Sequence, residues 1–393
     1  MDAFKTFINR KQTNSMKWDQ IKQVFQTDDD DVLPLWVADM DFPAPKEVND
    51  ALIERAKHGI YGYTFIDDSI LDNVVNWIEK RHNWTIETKW LTFSPSVITS
   101  LYNAIMTFTK PNDKILIQTP VYTPFFSVIE DSGREIVENP LLYKDQKYEI
   151  NFNDLEEKFS QGIKAMVFCS PHNPVGRVWK KEELEKLAEL ALKYNVLILS
   201  DEIHADLVFK PNKHIPFASL SEEISKQTIT FMSPTKTFNL AGLHVSYFIT
   251  SDAKKRIEME RTLALQGFRM LNTMGIVALD AAYKHGEPWL ERLLEIIEEN
   301  KQYVIERLPN ETNGKVKVID SEGTYLLWLD FHALEMNDKA LQRFLVEEAK
   351  VGLNAGSSYG TEGEQFMRIN LACHKKTLEE AINRIVQAVN KLN

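Results

Sequence analysis

Apolar and polar positions follow two rhythms along this chain, and the change between them divides it. From about Lys114 onward, short apolar runs recur: KILIQ (114–118), AMVFCS (165–170), VLILS (196–200), TITFMS (228–233) and VSYFIT (245–250). Stretches with helical spacing separate them, the clearest running from Lys181 to Tyr194. Such alternation predicts buried strands in a largely parallel sheet with helices on both faces. After a long charged helical region around Glu287 to Leu308, the pattern becomes VKVID (316–320), GTYLLWLDF (323–331), a helix near Asn337 to Lys350, FMRINLAC (366–373) and a last helix from Lys376. This second rhythm predicts a smaller α+β unit. Ahead of the sheet, the acidic run 26–31 reads as a solvated loop, separating an N-terminal arm from the apolar segment WVADMDF (36–42). The turn DFPAP then leads into a helix beginning near Lys46.

Composition narrows the function. At 393 residues the chain can bury one large core and a smaller one. Its net charge of −11 disfavours a nucleic-acid or anionic-membrane surface, and no basic patch offsets it. No stretch approaches the roughly 20 apolar residues that cross a bilayer, and the N-terminus lacks a signal-peptide core, so a cytoplasmic protein is expected. The two cysteines, Cys169 and Cys373, lie in apolar strand-like runs, so two buried free thiols are expected, with neither a disulfide nor a metal site.

In an open α/β sheet, ligands sit beyond the carboxyl ends of the strands, so the residues there carry the chemistry. TITFMS ends in Ser233-Pro-Thr235-Lys236, a lysine among hydroxyl and apolar neighbours; desolvation there would free a neutral amine to attack a carbonyl. VLILS ends in Asp201, a carboxylate that needs a partner at the tip of a buried run. AMVFCS leads into SPHNPVG, whose prolines and glycine set the direction of the Asn173 amide. Each has a bland alternative: an exposed lysine, a loop salt bridge, a turn asparagine. Ser96-Val97-Ile98 opens an apolar helical run, where free N–H groups suit an anion and where a simple Ser cap would look the same. Arg368 is a lone cation in FMRINLAC, either a bidentate clamp for a carboxylate or an arginine on an exposed strand face.

Lys236, Asp201 and Asn173 arrive in the order and strand-end setting of fold-type I pyridoxal phosphate (PLP) enzymes, and the chain resembles the class I/II aminotransferase superfamily from WVADMDFPAP to MRINLAC. The resemblance implies a large domain with a mixed, mostly parallel seven-stranded sheet flanked by helices, and a small α+β domain built from both termini. The boundaries read as residues 1–45 for the arm, 46–286 for the large domain and 287–393 for the small one. By the family pattern, Lys236 carries the Schiff base, Asp201 faces the pyridine nitrogen and Asn173 the ring hydroxyl. Tyr122 in QTPVYTPFF stacks on the ring, and Ser96, Val97, Ile98, Ser233 and Thr235 hold the phosphate. Tyr63 in GIYGYT reaches the phosphate of a neighbouring subunit, which implies a homodimer, and Arg368, with Ala38 and Asn173, binds the substrate.

Two positions depart from the usual aminotransferase pattern: His204 where many have tyrosine, and His244 where an arginine usually meets the phosphate. With WVADMDF, SPHNPVGRVW, DEIHADLVF and KTFNLAGLH, the chain looks most like the MalY/PatB group of cystathionine β-lyases. That implies α,β-elimination of cystathionine or other cysteine S-conjugates to a thiol, pyruvate and ammonia. Transamination is the alternative, since the same residues serve both, and a regulatory role of the MalY kind is a third reading.

Overall fold

The computed structural model describes residues 4–392. Seven strands form one sheet in the spatial order Leu91–Ser94, Ser246–Ile249, Thr228–Met232, Leu197–Asp201, Ala165–Cys169, Lys114–Ile117 and Glu135–Glu138. Only Ser246–Ile249 runs antiparallel to its neighbours; the other pairings are parallel. The central strands are buried at every residue, as parallel strands covered on both faces must be. Helices supply that cover because their apolar residues recur at helical spacing: in Lys181–Lys193, Leu184, Leu187, Ala188 and Ala191 are buried.

The five apolar runs and the helices at Lys46–His58, Lys181–Lys193, Asp338–Glu347 and Lys375–Lys391 all form where the pattern puts them. The pattern does not reveal the two edge strands, Leu91–Ser94 and Glu135–Glu138, or the hairpin of Leu142–Lys144 with Lys147–Glu149. Glu135–Glu138 lies at the sheet edge with glutamates at both ends and no fully buried residue, so it lacks the apolar run that marks a central strand. Cys373 corrects one expectation: it lies beyond the strand Phe366–Asn370, although both thiols are buried and free.

A second sheet, antiparallel, has the order Lys317–Ile319, Leu326–Asp330, Phe366–Asn370, Asn354–Ala355. The helix Glu287–Glu311 precedes it in the chain. Leu33–Pro34 from the arm pairs in parallel with Val351–Gly352, so the two ends of the sequence meet. From there segment 36–42 runs without regular structure across to the large sheet. Met40 N donates to the Asn239 side chain, three residues beyond Lys236.

Candidate active site

Parallel pairing sets Cys169 beside Asp201 and Asp201 beside Phe231, so three strands release their chains at one level. The loops that follow wall a cavity of about 180 Å³. Ala38, Ser96, Val97, Ile98, Tyr122, Asn173, Asp201, His204, Ser233, Thr235 and Lys236 all line it, as does His244. Arg368 stands next to it: Nη1 donates to Asn173 Oδ1 at 3.1 Å and Nη2 to Trp36 O at 3.0 Å. Tyr63 is elsewhere, its side chain projecting from the surface at 96% exposure.

Lys236 sits in the one-turn helix Pro234–Thr237, capped by Ser233, whose hydroxyl accepts from Thr235 N. Burial, then the nearby Arg368 guanidinium, lowers its amine to about 8 against the pull of Asp39 and Asp201. Its Nζ donates to Ala38 O at 2.7 Å. Asp201 moves the other way: burial, with Glu202 adding to it, raises its carboxyl to about 7 even though it accepts from Ile203 N at 3.1 Å. Asp201 forms no ion pair among the described residues, so a buried carboxyl faces the cavity with only the more distant pull of Lys236 against its burial. Burial and the two nearby cations, Lys236 and Arg368, hold His204 down to about 3, which keeps its imidazole neutral.

The helix Val97–Phe108 starts at the cavity because Ser96 caps it, accepting from Thr99 N at 3.1 Å. The Val97 and Ile98 N–H groups have no partner among the described residues, as the first turn of a helix leaves them. Both sequence readings of Ser96, a cap and the rim of an anion site, therefore hold together. The buried Nε of Arg368 and Nδ1 of His204 also lack partners. Buried polar atoms are normally satisfied, so unmet donors and acceptors converging on one cavity mark a place for a polar ligand.

Sequence reasoning missed a layer behind this face. Glu202 is buried and accepts from Ser200 Oγ (2.8 Å) and Phe217 N (3.0 Å), and it meets His214 Nε2 at 2.7 Å. Asp206 accepts from Thr237 Oγ1 at 2.8 Å and from Trp77 Nε1 at 3.2 Å. His82 Nε2 lies 3.1 Å from Asp206 Oδ1, off the line of a good hydrogen bond. The signal was present, since DEIHAD carries two further acids directly after a buried strand.

The class I and II aminotransferase family model matches residues 30–385 of this chain. The chain belongs to that family. Among its relatives, cystathionine β-lyase PatB of Bacillus subtilis (strain 168) is 44% identical over 379 residues, covering 96% of this chain and 97% of that protein. Protein MalY of Escherichia coli (strain K12) is 31% identical, with 99% of each chain covered. These matches place the chain in the MalY/PatB group of this aminotransferase family. A crystal structure of cystalysin from Treponema denticola, which contains a pyridoxal 5′-phosphate cofactor, superposes with a TM-score of 0.97 at 37% identity over the full length of both chains. The family's fold is thus the one observed, the mixed seven-stranded sheet included.

Proposed function

We propose that this protein is a pyridoxal phosphate-dependent carbon–sulfur β-lyase that splits cystathionine or another cysteine S-conjugate, with water, into a thiol, pyruvate and ammonia. The observation that carries this reading is the convergence of a lysine lowered to about 8, an unpaired buried carboxyl and a buried arginine on one cavity, in a chain 44% identical to a cystathionine β-lyase.

The residues present fit the cofactor. Asp201 lacks a cationic partner, and a protonated pyridine nitrogen is one; Val97 and Ile98 N–H, with the hydroxyls of Ser96, Ser233 and Thr235, suit a phosphate. Lys236 would hold the aldehyde carbon, Tyr122 the ring face, and Asn173 and His204 the ring hydroxyl edge. Bound there, pyridoxal phosphate supplies a cationic ring that accepts electrons from the substrate's Cα.

The rest falls to the side chains. Arg368 clamps the α-carboxylate through its fork, using the Nε that has no protein partner. Arg368 beside Asn173 is near enough for its charge to act on the Lys236 amine, so a substrate held there would share one site with that amine. A base near 8 is matched to accepting the Cα proton at neutral pH and returning it elsewhere. Burial raises the Asp201 carboxyl to about 7, and a protonated ring nitrogen beside it would hold it ionised. Proton removal from Cα is common to elimination and transamination, so the products decide between them.

Three finer points belong to the same proposal. The active unit is a homodimer, a reading supported by Tyr63 standing bare at 96% exposure outside its own chain's cavity. The arm, expected over 1–45, joins the unit expected over 287–393 as a small domain against 46–286, supported by the Leu33–Val351 pairing; residues 1–3 and 393 lie outside the described residues. A cytoplasmic location is supported by two buried, unpaired thiols.

The test is a visible absorbance spectrum of the purified protein with the cofactor, followed by cysteine S-conjugates, in wild type and Lys236→Ala. A visible band with equal pyruvate and thiol, all lost in the variant, is expected. Amino transfer to a keto acid without pyruvate would make it an aminotransferase. No visible band with added pyridoxal phosphate would overturn the reading altogether.

A further inference from the structure

Segment 36–42 has no helix or strand to satisfy its backbone, yet five successive carbonyls in it are occupied by side chains. Trp36 O accepts from Asn354 Nδ2 (2.9 Å) and Arg368 Nη2 (3.0 Å). Val37 O and Asp39 O both accept from Asn370 Nδ2, at 2.7 and 2.5 Å. Met40 O takes Asn239 Nδ2 at 3.0 Å. Irregular backbone in a buried setting needs such partners, and those four carbonyls get them from side-chain amides and the guanidinium groups of Arg368 and Arg10, with the Lys17 amine at 3.5 Å as a longer second donor to Asp39 O. The fifth is different. Ala38 O accepts from the Lys236 amine at 2.7 Å and from the Tyr325 hydroxyl at 2.8 Å. Tyr325 is 1% exposed, and its ring stands edge-on to His204 at 5.9 Å.

We propose that the Ala38 carbonyl is the dock for the ε-amine of Lys236 whenever that amine is free, and that Tyr325 is the positioning residue that keeps the carbonyl aimed at Nζ. This rests on the lyase reading of the site. A carbonyl oxygen has two lone pairs, so it can take both donors at once. The neutral amine gives one N–H to Ala38 O and keeps its own lone pair for the substrate. When it takes the Cα proton, a C–H bond breaks, an N–H bond forms and the C–H electron pair stays with the substrate. The nitrogen becomes an ammonium in a site that disfavours charge, and its bond to Ala38 O becomes charge-assisted. An interaction that strengthens as the proton moves lowers the barrier, whereas one equally strong before and after does not. The neighbouring amide clamps hold the acceptor still, so little reorganisation is needed when the charge appears.

Tyr325→Phe removes one buried oxygen and leaves the ring against His204. With a cysteine S-conjugate carrying hydrogen or deuterium at Cα, kcat is expected to fall about tenfold with KM within about twofold, and the deuterium isotope effect to rise. Cofactor-free protein gives an independent readout: the pH midpoint for acetylation of Lys236, followed by peptide mass spectrometry, should move down, because without the Tyr325 hydroxyl the Ala38 carbonyl is no longer held aimed at the ammonium. Asn370→Ser, which releases the carbonyls flanking Ala38, is expected to move both readouts the same way and serves if the phenylalanine variant does not fold. An unchanged isotope effect together with an unchanged Lys236 midpoint overturns the dock, whatever happens to kcat. Failure of the wild type to show a visible band or release pyruvate overturns the lyase reading instead, and the labelling midpoint still reports on the dock.

Discussion

At the scale of single residues, burial does opposite things to the two groups that matter most. It lowers the Lys236 amine and raises the Asp201 carboxyl, because in each case removal from water penalises the charged form. Asp201 then makes the cofactor-free protein's stability depend on pH. Its folded value of about 7 lies above the ordinary 3.8, so between those values the folded state holds a proton that the unfolded state has lost. The stabilisation is fully present below the unfolded value and is lost as pH rises through the folded one. Denaturant unfolding of cofactor-free wild type and Asp201→Asn at pH 4, 5.5 and 7 should show wild type losing on the order of a few kcal/mol relative to the variant across that range. Parallel pH profiles for the two proteins would show that Asp201 is not held protonated.

Among the elements, the helix Pro234–Thr237 is too short to hold itself, since a single turn gains little from its own hydrogen bonds. Its position comes from Asp206, which accepts from Thr237 behind Lys236 and from Trp77 in the helix Asp68–His82. Burial raises the Asp206 carboxyl, but His82, Arg81 and Thr237 together bring it below the ordinary range, so it is an anion inside the core. Removing it strands buried donors and a histidine at once. Asp206→Ala should cost about 3 kcal/mol in urea unfolding of the cofactor-free protein and loosen the binding of pyridoxal phosphate followed by absorbance titration. A loss under about 1 kcal/mol would mean that packing alone places the lysine turn.

Over the whole molecule, one rim of the surface is unusually apolar. Ile60, Tyr61, Tyr63 and Phe65 are all more than half exposed, and Thr64 Oγ1 meets Thr273 Oγ1 at 2.8 Å, so this loop adjoins the segment bearing exposed Met270. Large exposed apolar patches usually mark contact surfaces, and this one surrounds Tyr63. On the proposed homodimer, Phe65→Asp is expected to shift the protein from dimer to monomer in light scattering and, by withdrawing Tyr63 from the neighbouring site which that proposal gives it, to weaken cofactor retention during dialysis. A dimer of unchanged affinity after that substitution would move the interface elsewhere.

Features that depend on neighbours in the chain were readable from the residues alone. Apolar runs bounded by turns foretold the central strands, and the polar residues just past them, Asn173, Asp201 and Lys236, were legible as a group because strand ends are where a parallel sheet opens to a ligand. The start of the Ser96 helix was legible for the same local reason. Edge strands were not, because half-exposed positions mix polar with apolar residues. The tertiary structure alone decided which distant groups meet: Ala38 O with an amine 198 residues away, Thr237 with Asp206, Arg368 with Asn173. It also decided how charged each group is, since pKa values follow burial and approach, which no local pattern encodes. Tyr63 shows the boundary between the two: its motif suggested a cofactor contact, and the fold leaves it bare on the outside of its own chain.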